Sequence, residues 1–173
     1  MYFSLYPKVA YKVDDFDYLK SIDITSAITL KNYIKNYNGI QYNPYIIKDG
    51  ERPDNVSKRF YGDTKYAWII LLVNEIFSIY DDWPRGSREL NDYIEQKYGS
   101  LEYAATTVKT YYDSLGNPID QTTYNSLDTS SRSSETFYEY EMKLNDAKSR
   151  IKIVSPAFII SIETDLRSLL TPQ

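Results

Sequence analysis

The sequence has no cysteine and no histidine in 173 residues. The first absence removes disulfides, thiol nucleophiles and thiolate metal sites. The second removes the commonest general base, the commonest metal ligand and every serine–histidine triad. Few enzymes of this size work without either residue. A positive excess is also missing, since the net charge is −4. Nucleic-acid binders draw affinity from neutralised phosphates and carry the opposite balance. The one basic cluster, Lys143, Lys148, Arg150 and Lys152, reads as a solvated helix end. The longest apolar run, residues 66–73, is far short of the about 20 residues that span a bilayer. Met1-Tyr2-Phe3-Ser4-Leu5-Tyr6-Pro7-Lys8 lacks a basic start and an apolar core, and Asp14 and Asp15 follow. No signal peptide is expected, so the protein is expected to act where it is made or inside an assembly.

What is present is globular in composition. Apolar residues are 42%, aromatics 16% and charged residues 25% of the chain, enough to build one ordinary domain or a small domain with extensions. Nineteen tyrosines stand out. A tyrosine buries a large ring while its hydroxyl stays hydrogen-bonded, which suits a surface that is wet alone and covered in a complex. The plainer reading is that tyrosine serves here as a core filler.

Periodicity divides the chain. Ala27, Leu30, Ile34 and Tyr37 have helical spacing over residues 26–37, and Asn38-Gly39 closes that helix. Residues 42–47 read as a strand ended by Asp49-Gly50. Pro53 suits the first turn of a short helix bearing Val56 and Phe60, with Gly62 as its C-terminal cap. Asp63 or Thr64 caps a second helix to about Asn74, apolar on all sides and hence central. Residues 78–86 are rich in turn formers. Residues 88–98 form an amphipathic helix with Leu90, Ile94 and Tyr98 in line. Residues 106–112 and 119–124 read as the strands of a hairpin, and 126–134 as a mobile Ser/Thr-rich connection. Ser134 caps a helix with Phe137, Tyr140, Leu144 and Ala147 on one face. Residues 151–154 alternate as a strand, and Ser155-Pro156 starts a last helix with Ile159, Ile162, Leu166, Leu169 and Leu170 on its buried stripe.

The carboxylate groups Asp14-Asp15-Phe16-Asp17, Asp81-Asp82 and Glu139-Tyr140-Glu141 are each conceivable as acid–base or cation sites. No glycine-rich phosphate loop accompanies them, and all three read as solvated surface. Trp68 and Trp83 are both of a type to stack on sugars or anchor a protein partner, but Trp68, inside the apolar helix, is expected in the core. Trp83, in a turn with Asp82 and Pro84, divides evenly between core lid and interface anchor.

Tyr45-Ile46-Ile47-Lys48-Asp49-Gly50, then Val56, Ser57, Phe60, Tyr61-Gly62-Asp63, Trp68, Ile70 and Asn74, resemble a LysM module: a strand, an Asp-Gly turn, two short helices and a closing strand. Trp83-Pro84-Arg85-Gly86 fits the closing strand only loosely. A broader resemblance is carried by Tyr45-Ile46-Ile47-Lys48 with Arg52-Pro53, Phe60-Tyr61-Gly62 to Tyr66-Ala67-Trp68, Leu71-Leu72 with Asn74, and Trp83. Leu144-Asn145, Ile151-Lys152-Ile153 and the final helix extend it. In order and spacing these resemble baseplate wedge protein 53 of contractile-tailed bacteriophages, a family with a LysM-like element in longer flanks. Residues 100–134 match poorly and read as an insertion.

The elements read above together with this resemblance predict an α+β fold with a small LysM-like strand-helix-helix centre, helical and extended flanks and a middle β-hairpin. The expected segments are 1–41, an arm and helix; 42–99, the LysM-like core and following helix; 100–134, the insertion; and 135–173, helix-strand-helix. It implies a non-enzymatic virion protein, made in the host cytoplasm, that joins wedge subunits to each other and to the hub in several copies. Partners would be other baseplate wedge and hub proteins, with no nucleic acid, membrane, cofactor or metal. Tyr61, Tyr66, Tyr80, Trp83 and Arg85 are the expected interface residues. The contending readings are a LysM-type protein that binds peptidoglycan or N-acetylglucosamine and, more remotely, a phage lysin-type hydrolase.

Overall fold

The computed structural model describes residues 8–11, 19–22, 33 and 39–170. The chain divides into two units that are not consecutive in sequence. The first takes residues 1–47, 51–82 and 151–173, and the second takes 48–50 and 83–150. The architecture is α+β.

In the first unit, β1 (Lys8–Tyr11) and β2 (Leu19–Ile22) pair antiparallel, with Lys8 opposite Ile22. The helix expected over residues 26–37 lies outside the described residues, apart from helical Tyr33. Strand β3 (Tyr42–Ile46) leads to α1 (Pro53–Tyr61), which has proline at its first position. The helix stops at Gly62, whose φ of 76° is costly for a side chain bearing a Cβ. Asp63 then accepts from the Lys65 N–H and caps a 3-10 turn (Thr64–Tyr66) that runs into α2 (Ala67–Val73). The all-round apolar character of α2 is matched by burial of Trp68, Ile69 and Ile70.

The partner of β3 is β7 (Arg150–Val154), from the far end of the chain. The loosely fitting residues 83–86 form no strand. Pro84 lacks a donor, and a helix begins at Ser87. In β7, Ile151 and Ile153 are buried while Arg150 and Lys152 are exposed, the period-two pattern of a strand with one covered face. The Ser155 N–H donates to the Gln41 carbonyl at 2.8 Å beside it. A 3-10 turn (Pro156–Phe158) enters α8 (Ile159–Leu170). Trp68, Ile69, Val154, Ile159 and Ile162 make one core cluster, so the first unit is completed by residues that follow the whole second unit in sequence. The side chains expected at Leu166, Leu169 and Leu170 lie outside the described residues.

The second unit starts from a close approach. A Cβ on Gly86 would meet the Gly50 Cα at 3.1 Å, and the Asp49 carboxylate accepts from the Ser87 N–H at 2.7 Å. Asp49 thus caps α4 (Ser87–Tyr98) from a distant turn. Leu90 and Ile94 of α4 pack with Ala104 of α5 (Leu101–Thr106). A three-stranded sheet follows in the order β5-β4-β6. The hairpin of β4 (Val108–Asp113) and β5 (Pro118–Ile119) is antiparallel. Two expectations fail here. The run 119–124 is strand only at its first residue, because Asp120 accepts from the Thr122 and Thr123 N–H groups and starts α6 (Gln121–Ser126) instead. The connection 126–134 runs into β6 (Arg132–Thr136), antiparallel to β4 with an irregularity between Val108 and Thr110. Pairing with β4 overrides a composition that reads as loop.

Helix α7 (Phe137–Ser149) is capped by Thr136 and Glu139 in a reciprocal box, two residues beyond the expected Ser134. Its inner face also differs from expectation. Glu141 is buried, whereas Leu144 is 42% exposed and Ala147 is exposed. The helix turns its carboxylate inward because that carboxylate has two partners there.

Candidate partner-binding surface

Tyr61 and Tyr66 bracket the turn between α1 and α2. Their rings meet edge to face, with centroids 6.2 Å apart at 89°. Both are half-buried in the first unit's core. Burial pushes the Tyr61 hydroxyl well above the ordinary tyrosine range. That hydroxyl is buried, with no well-formed hydrogen bond among the described residues. Glu163 of α8 is held below the usual carboxylate range chiefly by Arg167 at 2.8 Å, with a lesser contribution from Tyr66. The Lys65 ammonium lies 4.6 Å from the Tyr66 ring centroid. These two tyrosines chiefly bind their own unit together.

Tyr80 is placed very differently. It lies on α3 (Ile79–Asp82), a single turn of helix. The Asp82 carboxylate accepts from the Phe77 and Ser78 N–H groups, both at 3.0 Å. The Asp81 carboxylate accepts from the Ser78 hydroxyl at 2.8 Å. On this tied turn Phe77, Ile79 and Tyr80 are 75%, 49% and 86% exposed. The sequence singled out Tyr80 and missed Phe77 and Ile79. The available signal was an apolar run, Ile76-Phe77-Ser78-Ile79-Tyr80, in a segment too short to bury all of it.

Trp83 and Arg85 belong to the second unit. Trp83 is only 5% exposed, so the structure takes the core side of its two readings. The Arg85 backbone exchanges two hydrogen bonds with the Asn145 side chain, N–H to Oδ1 at 2.8 Å and Nδ2 to the carbonyl at 3.0 Å. Its guanidinium carbon stands 4.3 Å from the Tyr93 ring centroid. Of the five expected residues, Tyr80 alone is largely open to solvent.

The carboxylates are engaged structurally. Glu141 accepts from the Lys97 ammonium at 2.8 Å and the Tyr98 hydroxyl at 2.7 Å. Burial alone would raise its pKa, yet these bonds outweigh burial and hold it below the ordinary range. Lys97 is raised in return, mainly by its bond to Glu141. Glu139 is lowered by accepting from the Thr136 backbone. Glu51, buried, is 2.7 Å from Arg59 and accepts from Tyr45 at 2.7 Å. The Asp14–Asp17 group lies outside the described residues. Among the described residues no cluster of three His, Cys, Asp or Glu side chains could hold a metal ion, and no helix is long and apolar enough to cross a membrane. The Tyr80 turn, by contrast, offers apolar surface on a braced backbone.

No curated protein matches the chain. A family model described as base plate wedge protein 53, of phages, matches residues 1–111. The match covers α1, α2, the Tyr80 turn and α4, and stops inside β4; Leu144-Asn145 and the Ile151–Ile153 pattern lie beyond it. With more than half its length matched, the chain belongs to the base plate wedge protein 53 family and is a structural component of the phage tail base plate.

Proposed function

We propose that this chain joins wedge subunits to each other and to the hub while the base plate assembles, in several copies per tail and without catalysis. The observation that carries the reading is the family match over residues 1–111. Two features support it. The carboxylates that could have served as acids or bases, Asp82, Glu139 and Glu141, hold backbone turns or ion pairs. The best exposed aromatic among the expected interface residues, Tyr80, sits on a braced turn suited to contact with a partner. Tyr61, Tyr66, Trp83 and Arg85 would then act indirectly, by holding the two units in shape. The reading rests on assembly from chains made in the host cytoplasm.

The test is mass spectrometry of purified tails, with complementation of a phage lacking this gene. The chain should be a stoichiometric base plate component, and tails should fail to form without it. Complete, infectious tails from the gene-deleted phage would refute the joining role. Peptidoglycan cleavage abolished by a single Asp or Glu substitution would refute its non-catalytic part. Saturable binding to insoluble peptidoglycan, competed by N-acetylglucosamine oligomers, would instead favour a wall-binding role.

A further inference from the structure

We propose that the solvent face of α7 is a self-complementary contact through which two copies of this chain pair, helix against antiparallel helix, about a two-fold axis. The contact belongs to the chain by itself and goes beyond the joining role, which stands or falls on purified tails.

The face is a stripe of exposed residues, Glu139, Met142, Lys143, Asp146, Ala147 and Arg150, which line a groove of about 540 Å³. Their spacing is that of one side of a helix, ending at its C-terminal cap Arg150. Glu139, Lys143, Asp146 and Arg150 follow one another at steps of four, three and four residues and form the central seam. Met142 borders the seam on one side and Ala147 on the other. Charge along the seam runs minus, plus, minus, plus. Reversing the helix exchanges Glu139 with Arg150 and Lys143 with Asp146, and both exchanges share one midpoint, between Leu144 and Asn145. A two-fold contact demands this, because every residue i that meets j must be matched by j meeting i. In the antiparallel pair Glu139 meets Arg150 of the second copy and Lys143 meets its Asp146, each twice. A parallel pair would set every charge against its like.

The plainer role for such charges is pairing within the helix, since Glu139 and Lys143, like Asp146 and Arg150, are four residues apart. The structure forms neither pair. The Asp146 and Arg150 side chains have no ion-pair or hydrogen-bond partner among the described residues; Asp146 is engaged through its carbonyl, which accepts from the Ser149 hydroxyl. Lys143 turns instead to Glu135 at 3.3 Å and stays 72% exposed, with donors to spare on its ammonium. Glu139 gives one oxygen, Oε2, to Thr136 and keeps Oε1 open. Each of the four can therefore take an outside partner without giving up a contact of the fold. Charge also selects a second copy over other partners. The whole chain carries −4 and repels its copy at long range, so attraction is confined to the register in which the neutral seam is sign-matched. A nucleic acid or an anionic membrane would meet as many carboxylates as cations there. Exposed ion pairs contribute little each, so the dimer is weak and salt-dependent.

The experiment uses the purified full-length chain at high concentration. Sedimentation equilibrium should show monomer and dimer, with association weakened roughly tenfold or more between about 0.05 M and about 1 M salt, where the screening length falls to about 3 Å. Asp146→Lys sets lysine against Lys143 of the second copy and should weaken association at low salt by roughly tenfold or more. Adding Lys143→Glu to it exchanges the two signs and should restore the dimer. In parallel, Ala147→Cys gives one thiol in a chain that has none of its own. The two thiols would lie on the same side of the seam, about 7.5 Å apart along the axis at 1.5 Å per residue. A short bismaleimide should join them at low salt and fail at high salt. A monomer at every concentration overturns the proposal. So does an Asp146→Lys chain that dimerises as well as the unsubstituted one, or a charge exchange that restores nothing. If the charge variants fail to fold, the crosslink decides alone: a salt-sensitive covalent dimer supports the contact, and its absence overturns it.

Discussion

The side chain of Asn74 exchanges two hydrogen bonds with the backbone of Lys152, 78 residues away: Nδ2 donates to the carbonyl and Oδ1 accepts from the N–H, each at 2.8 Å. A third bond runs from Nδ2 to the Ile70 carbonyl, also at 2.8 Å. One amide thus stands against β7 as a neighbouring strand would and ties it to the end of α2. This contact supplements the pairing of β7 with β3, the pairing that carries the chain back into the first unit after the second. Asn74→Ala should lower unfolding free energy by about 1 kcal/mol, since water reaches the exposed backbone groups left behind. Asn74→Asp, which keeps the acceptor but loses the donor, should be no better. Urea denaturation of both variants measures this; a change within error for each would mean the contact is dispensable.

Glu141 is the second test. It is 5% exposed and bonded to Lys97 and Tyr98. Glu141→Ala should cost about 1.5–3 kcal/mol, the range for hydrogen bonds to a charged group, and fall near its lower end because Lys97 remains partly in water.

The same group predicts a pH dependence. The folded Glu141 pKa is depressed, so its contribution is complete above the ordinary glutamate value of about 4.3 and is lost as pH falls through the lower folded value. Lys97 is raised, so its contribution is complete below the ordinary lysine value of about 10.4 and is lost as pH rises through the folded one. The stability gap between the unsubstituted chain and Glu141→Gln should therefore be flat near neutrality and narrow in acid. Parallel melting curves at several pH values check it, and a gap that widens in acid would contradict the assignment.

Thr136 offers a local test of how α7 begins. Its hydroxyl accepts from the Glu139 N–H while the Glu139 carboxylate accepts from the Thr136 N–H at 2.7 Å. Thr136→Ala should destabilise the protein by about 0.5–2 kcal/mol, whereas Ser134→Ala, at the residue read from sequence as the cap, should change it little. Equal effects from the two would mean the box does not set the helix start.

Trp83 makes a prediction opposite to that of an interface anchor. With the indole buried, Trp83→Ala should cost about 3–5 kcal/mol and lower the melting temperature before any assembly step is examined. A variant that melts normally and is still excluded from base plates would return Trp83 to the interface.

Local rules determined a good deal of this protein. Pro53 and Gly62 bound α1, Asp63 opens the turn into α2, and Leu90 with Ile94 marks the inner face of α4, all from interactions within a few residues. The same holds for the alternation of Ile151 and Ile153. Even the family was legible, because Tyr45, Pro53, Gly62, Trp68 and Asn74, which carry the resemblance, are read from the sequence itself and lie within the matched residues 1–111. Tertiary structure decided what depends on distant partners. Residues 132–136 look like loop and become a strand because β4 offers them a ladder. Helix α7 turns Glu141 inward and Leu144 outward because Lys97 and Tyr98 wait on α4, and no periodicity of apolar residues could announce a buried ion pair. The strand beside β3 comes from residues 150–154, not 83–86, since strand pairing is set by long-range hydrogen bonds. Trp83 is buried and Tyr80 exposed although only two residues separate them, and only the packing around each could tell the core residue from the one left in solvent.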